Sequence, residues 1–235
     1  MTRTALFITA TGTDVGKTFV SAALLRALLA RNIDCAYLKP IQTGGDSSLT
    51  TADRAPDLRA VLDACGPLPG TPDPMTMAPA VFRKAASPHL AAALEGRRVD
   101  FEKILAAFDT LSRAHDVLVV EGAGGIMVPL GEGRTTLDLM QRLAIPALVV
   151  TPNRLGCVNE TLLTLDKLAR SGIETLGVLF NRIDETGDPE ILADNPRIVA
   201  ELGGVPVFGE LPQGREPNGE TPPCIQAILD HWLGR

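Results

Sequence analysis

Residues 9–18 read Thr-Ala-Thr-Gly-Thr-Asp-Val-Gly-Lys-Thr. The apolar run Ala5-Leu6-Phe7-Ile8 leads into them, and residues 19–25 continue with the apolar spacing of a helix. Strand, glycine-containing turn, Gly-Lys-Thr and helix is the layout of a phosphate-binding loop. The first turn of a helix leaves N–H groups unpaired, and the helix dipole adds partial positive charge there, so a polyphosphate satisfies both. In such a loop Gly12, Thr13, Asp14, Val15 and Gly16 line the nucleotide, with Gly12 and Gly16 expected to supply positive φ and close backbone approach. Lys17 then reaches the β- and γ-phosphates, the Thr18 hydroxyl holds Mg²⁺, and Phe19 closes the nucleotide-binding segment. The strict pattern asks for glycine at position 11, where this chain has Thr11. The bland alternative, a loop that caps a helix and leaves Lys17 in solvent, does not need a strand and a helix on the correct sides.

Three further stretches carry groups of the same chemistry. Val117-Leu118-Val119-Val120 is followed by Glu121 and then Gly122-Ala123-Gly124-Gly125. An unbroken apolar run reads as a central parallel strand, and a carboxylate at its tip, beside a phosphate loop, is where Mg²⁺ needs a second protein ligand. The glycines after it let the backbone pass close to a ligand. Lys39 ends a short strand over 35–38 before Pro40, which stops the ladder; alone it reads as a surface lysine. Residues 41–48 read as a polar loop at a strand's C-terminal end, where open α/β sheets bind ligands. Asn181 follows a strand over 175–180; its amide can donate to and accept from an adenine edge, or serve simple turn chemistry. Ser87-Pro88-His89 places an N-cap serine before a proline at the first helical position, so a helix starts there, and His89 by itself reads as structural.

The elements that must position these groups follow from the rest of the chain. Helices are expected over 17–31, 54–64 (carrying Asp57), 101–114, 191–202 and 225–233, and another from Leu155-Gly156-Cys157-Val158-Asn159 to Ser171, with Gly172 at C′. Strands are expected over 147–151 and 205–211 as well, and the proline-rich residues 65–79 as an irregular surface loop. Strands alternating with helices predict an α/β fold: a mostly parallel sheet with helices on both faces, of P-loop NTPase architecture, in one domain over residues 1–235. Of 235 residues, 45% are hydrophobic and 21% charged, ordinary for such a domain. The net charge of −6 argues against a nucleic-acid surface, which is basic. No apolar run approaches the ~18 residues of a membrane span, and the N-terminus enters the first strand with no room for a signal peptide. Cys35, Cys65, Cys157 and Cys224 are far apart without a C-x-x-C pair, which fits reduced thiols in a cytoplasmic protein.

Five separated motifs resemble one family: Thr13-Asp14-Val15-Gly16-Lys17-Thr18, Lys39-Pro40-Ile41-Gln42-Thr43-Gly44, Ser87-Pro88-His89, Glu121-Gly122-Ala123-Gly124-Gly125 and Leu155-Gly156-Cys157-Val158-Asn159. Together they are similar to ATP-dependent dethiobiotin synthetase across essentially the whole chain. The resemblance implies a cyclo-ligase of biotin biosynthesis. 7,8-Diaminononanoate takes up CO₂ as a carbamate, the carbamate attacks the γ-phosphate of ATP, and the mixed anhydride closes to a cyclic urea. It implies Lys17 and Lys39 as catalytic lysines, and Thr18, Asp57 and Glu121 as Mg²⁺ ligands, with Asp53 nearby as a competitor for the place of Asp57. It implies that Gly122, Ala123 and Gly124 line the nucleotide, and that Asn181 with Pro212, Gln213 and Gly214 faces the adenine. It implies that Thr43 contacts the diamine, and that Gly156, Cys157 and Asn159 receive the substrate carboxylate from the neighbouring subunit of a homodimer. The alternative for Asn159 is that it N-caps its own helix. Two departures bear on nucleotide selectivity: the family usually has glycine where this chain has Ala10, and often aspartate where it has Gly12. The competing reading is a partition-type switch ATPase that binds a protein partner. Such proteins tend to carry a second lysine early in the phosphate loop, which is absent here. An amide ligase acting on a corrin-like acid would usually need a further glutaminase domain.

Overall fold

In the computed structural model, residues 4–183, 186–214 and 220–234 are described. In chain order the elements are β1 (Thr4–Ala10), α1 (Lys17–Ala30), β2 (Cys35–Leu38), β3 (Ile41–Thr43), α2 (Pro56–Cys65), α3 (Pro74–Met77) and β4 (Ala80–Phe82). Next come α4 (Pro88–Leu94), α5 (Phe101–Ala114), β5 (Val117–Glu121), β6 (Pro129–Gly131), β7 (Arg134–Thr135), α6 (Thr136–Leu143) and β8 (Ala147–Pro152). The last are α7 (Cys157–Arg170), β9 (Thr175–Asn181), α8 (Pro189–Gly203), β10 (Val207–Leu211) and α9 (Pro223–Leu233). Six strands form one sheet in the order β10-β9-β8-β1-β5-β2, and every pairing in it is parallel. All residues of β5 and β8 are buried. A strand hides both sets of alternating side chains only when both sheet faces are covered, and the crossover helices that parallel pairing requires provide that cover.

Parallel pairing brings all the strand tips to one edge. Ile8 is in register with Glu121, Ala10 with Val150, and Asn181 with both Pro152 and Leu211. The phosphate loop, Glu121, Asn181 and the turn after β10 therefore share the edge at which open α/β sheets carry their sites.

The fold corrects several expectations. Residues 41–43 are a strand: Pro40 ends the β2 ladder, but Ile41, Gln42 and Thr43 pair with Ala80, Val81 and Phe82. The helix expected from 54 begins at Pro56, after a single 3₁₀ turn at Ala52–Arg54. The region 65–79 includes α3, capped by the Asp73 carboxylate accepting from Met75 N. Ser87 precedes α4 without capping it, because its hydroxyl meets His89 Nδ1 at 3.0 Å instead. The hairpin β6–β7 and helix α6 were unexpected. Gly172, at φ 71°, ends α7 at C′ as the sequence suggests.

Candidate active site

The phosphate loop connects β1 to α1. Gly16 sits at the helix N-cap with φ 94° and no side-chain cap, so the first-turn N–H groups stay open. The second left-handed residue is Asp14, at φ 58°, and not Gly12 as expected. Aspartate tolerates that region, so the turn is made without a glycine there. A Cβ on Gly12 would meet only Val15 Cγ1, at 3.8 Å, so the aspartate common in the resembled family has room here. The demand on Gly16 is stricter, since a Cβ would collide with the Asn181 side-chain amide. Lys17 Nζ donates to Gly12 O at 2.9 Å across the loop. Burial, then the nearby charge of Lys39, brings the Lys17 ammonium down to about 8. An anionic ligand opposes both effects. Thr13 and Phe19 are exposed beside the loop.

A cluster of charge lies next to Lys17. Lys39 is not a surface lysine; it is 3% exposed. Its ammonium donates to Glu121 Oε1 at 2.8 Å and is ion-paired with Asp57 Oδ2. The Thr18 hydroxyl donates to the same Glu121 Oε1 at 2.8 Å, and the Tyr37 hydroxyl to Oε2 at 2.9 Å. Burial opposes the charge of Lys39, but Glu121 and Asp57 beside it win and raise its pKa. Burial likewise opposes ionisation of Glu121, and is overcome by Lys39 and by hydrogen bonds from Lys39, Thr18 and Ser21, which hold the carboxyl below its ordinary value. The charges of Lys39 and Glu121 therefore support one another.

Of the two neighbouring acids, Asp57 is the one ion-paired with Lys39. It stands in the first turn of α2, and its N–H donates to Gln42 Oε1 at 3.3 Å. Asp53 faces away, bonded to Thr51 Oγ1 at 3.0 Å and Arg59 at 3.4 Å. Thr18, Asp57 and Glu121 thus converge at Lys39. A hydroxyl and two carboxylates are hard oxygen donors that fit Mg²⁺, which takes one or two carboxylates and fills its shell with phosphate oxygens and water. Among the described residues no group of three or more His, Cys, Asp and Glu is gathered to hold a metal alone. Thr43 ends β3, beside Gln42, whose side chain links to Asp57.

The glycines after Glu121 are needed by the protein itself. A Cβ on Gly122 would meet the Phe7 ring at 2.8 Å, and Gly124, at φ 65°, would press on Val128 at 2.7 Å. Asn181 is buried; its amide donates to Val15 O at 2.9 Å, while Oδ1 has no hydrogen-bond partner among the described residues. Pro212, Gln213 and Gly214 form the exposed turn next to it, with Gln213 Nε2 donating to Ile183 O at 3.2 Å. At α7 the cap position belongs to Gly156, so the capping alternative for Asn159 is wrong. Asn159 is exposed in the first turn, Cys157 is fully buried, and Cys157 N donates to Arg154 O at 3.2 Å. No hydrogen bond or ion pair joins Gly156, Cys157 or Asn159 to the Lys17–Lys39–Glu121 cluster among the described residues. Tyr37 was missed from sequence, although it stands two residues before Lys39.

Residues 4–221 match the family described as AAA domain. A curated ATP-dependent dethiobiotin synthetase from Akkermansia muciniphila is 38% identical over 209 residues, covering 89% of this chain and 92% of its own. One from Anaeromyxobacter sp. strain K is 40% identical over 200 residues, 84% of each chain. The chain belongs to the ATP-dependent dethiobiotin synthetase family. That membership bears out the expected ligase class and ATP dependence. Among solved structures, the MinD cell division protein of Aquifex aeolicus superposes with a TM-score of 0.53 at 16% identity, covering 98% of this chain and 96% of its own. A ParA family ATPase from Chlorobium tepidum gives 0.50 at 12% identity, covering 97% and 91%. These two establish the expected P-loop fold and nothing of the chemistry.

Proposed function

We propose that this synthetase closes the ureido ring of dethiobiotin from 7,8-diaminononanoate, CO₂ and ATP at the cluster around Lys39, in a single P-loop domain. The observation that carries the reading is Lys39 itself, a second buried cation held by Glu121 and Asp57 close to Lys17. Carbamate and triphosphate are both anions. Their approach needs cations already in place, and phosphoryl transfer asks the protein for positioning and charge more than for covalent help.

Lys17 and the open N–H groups at Gly16 hold the phosphates. Thr18, Asp57 and Glu121 hold Mg²⁺, which when bound neutralises triphosphate charge. Lys39 steadies the carbamate oxygen against the γ-phosphate, and Thr43 orients the diamine. As the carbamate oxygen bonds to the γ-phosphorus, the bond from that phosphorus to the bridging oxygen breaks and its electron pair leaves on ADP; the second amine then attacks the carbamoyl carbon, gives up a proton to solvent, and the carbon–oxygen bond breaks with its pair on the departing phosphate. Residues 122–124 border the nucleotide, and Asn181 Oδ1, buried without a partner, is the acceptor for an adenine amino group beside Pro212, Gln213 and Gly214. The discriminating assay is phosphate release. Release that requires the diamine and bicarbonate supports the ligase; release that responds only to a protein or DNA partner supports the switch ATPase.

Glu121→Gln keeps the shape of the side chain and removes its charge. It is expected to raise the Mg²⁺ concentration for half-maximal activity at least about 10-fold, with partial recovery at high Mg²⁺. A metal dependence equal to wild type would remove Glu121 from the ligand set.

The substrate carboxylate lies at the far end of a nine-carbon chain, away from the phosphates. In the proposed homodimer it is received by Gly156 and Asn159 of the neighbouring subunit; the part expected of Cys157 does not hold, since its N–H is taken by Arg154 O. Supporting this, Leu155 just before α7 (77%), Leu163 on α7 (62%) and Leu202 on α8 (60%) are exposed, apolar surface that a twofold contact would cover. Mixing inactive Lys39→Gln chains with inactive Asn159→Asp chains is expected to restore about a quarter of wild-type activity, because half the dimers are mixed and each has one intact site. No recovery despite demonstrated subunit exchange would put both residues in the same chain's site.

A further inference from the structure

Tyr37 is fully buried in β2, Lys39 follows the end of that strand, and both side chains reach the Glu121 carboxylate. β2 pairs in parallel with β5, with Tyr37 opposite Val119, so its ring runs toward the tip where Glu121 stands. The Glu121 carboxylate is divided between two environments. Oε1 accepts from Thr18 Oγ1 and Lys39 Nζ, both at 2.8 Å. Oε2 accepts from the Tyr37 hydroxyl at 2.9 Å. We infer that Tyr37 is a positioning residue for metal binding, fixing the Glu121 carboxylate so that Oε1 alone is offered to the cation and Oε2 is withheld. The inference rests on Glu121 being a Mg²⁺ ligand.

The chemistry follows from that division. Mg²⁺ demands near-octahedral geometry at short distances, whereas Ca²⁺ accepts bidentate carboxylates and variable coordination. A carboxylate locked by its inner oxygen presents one donor at one place, which suits the stricter ion. The phenol is the donor in this pair, since a carboxylate oxygen only accepts. Hydrogen-bonded outer residues of this kind orient ligands without touching the metal.

Tyr37 is the chain's single tyrosine. Protein labelled with ¹³C at tyrosine Cζ therefore gives one resonance, from the carbon bearing this hydroxyl. Mg²⁺ with ADP is expected to shift that resonance in the wild type beyond the effect of ADP alone. Tyr37→Phe, which removes only the hydroxyl, is expected to raise the Mg²⁺ concentration for half-saturation of the ADP complex about 10-fold, measured by calorimetry, and to narrow the preference for Mg²⁺ over Ca²⁺. In a Glu121→Gln background the same substitution should change the Mg²⁺ half-saturation less than about twofold, since the two residues act as one unit. A Tyr37→Phe protein that melts lower but binds Mg²⁺ and discriminates Ca²⁺ as the wild type does would overturn the inference and leave Tyr37 a core residue. A wild-type resonance indifferent to Mg²⁺ in the ADP complex would overturn it too, and needs no variant that must fold. Failure of the underlying reading looks different: there, Glu121→Gln itself leaves Mg²⁺ binding unchanged.

Discussion

Lys17→Ala is expected to lower kcat/KM for ATP by at least about 10²-fold, the scale for losing one preorganised electrostatic contact in a closed site. Lys17 is buried, bridges its own loop through the Gly12 carbonyl and sits within the field of Lys39. Its loss removes the cation nearest the phosphates and the link across the turn. Both effects fall on the nucleotide, so ADP affinity should weaken together with turnover. Alanine is well tolerated in a first helical turn, so the melting temperature without nucleotide should change little. Wild-type kcat/KM in this variant would remove the phosphate loop from the chemistry.

Lys39→Gln should behave differently. Glutamine keeps the length and a donor but no charge, so the expected loss is in kcat, about 10²–10³-fold, with a smaller rise in KM for ATP. The split follows from the proposed roles: Lys17 and the helix N-terminus are assigned to phosphate binding, while Lys39 stands by the metal-fitting carboxylates. Breaking a buried ion pair from one side costs about 3–5 kcal/mol, so stability must be measured beside turnover. On the proposed assignment of Glu121 and Asp57 as its ligands, Mg²⁺ with ADP should restore part of the lost melting temperature. An unchanged kcat would return Lys39 to a structural role.

Much of the site was legible because its groups sit at strand tips, and strand tips can be read from apolar runs. The phosphate loop, Glu121 and Asn181 each follow such a run, and parallel pairing aligned them. Lys39 was ambiguous alone, since nothing local distinguishes a buried lysine from a solvated one; its burial comes from Glu121, 82 residues away, and from Asp57 on α2. The choice of Asp57 over Asp53 depended on where Pro56 starts the helix. The positive φ at Asp14 was misassigned to Gly12 because glycine is the usual bearer of that conformation, and the turn used an aspartate instead. Helix α6 has a signal legible in the sequence, Thr135 and Asp138 as a capping box at the start of a helix that buries Leu137, Leu139, Met140 and Leu143. Tyr37 left a trace only in its spacing from Lys39; its hydrogen bond to Glu121 is a tertiary fact.

The most direct measurement supplies the protein with ATP, Mg²⁺, 7,8-diaminononanoate and ¹³C-labelled bicarbonate, then follows phosphate release and the mass of the product together. The expected result is dethiobiotin carrying one labelled carbon, formed in equal amount to the phosphate released, with neither appearing when the diamine or bicarbonate is left out. Phosphate release without the diamine, or a product lacking the label, would contradict ring closure through a phosphorylated carbamate at Lys39.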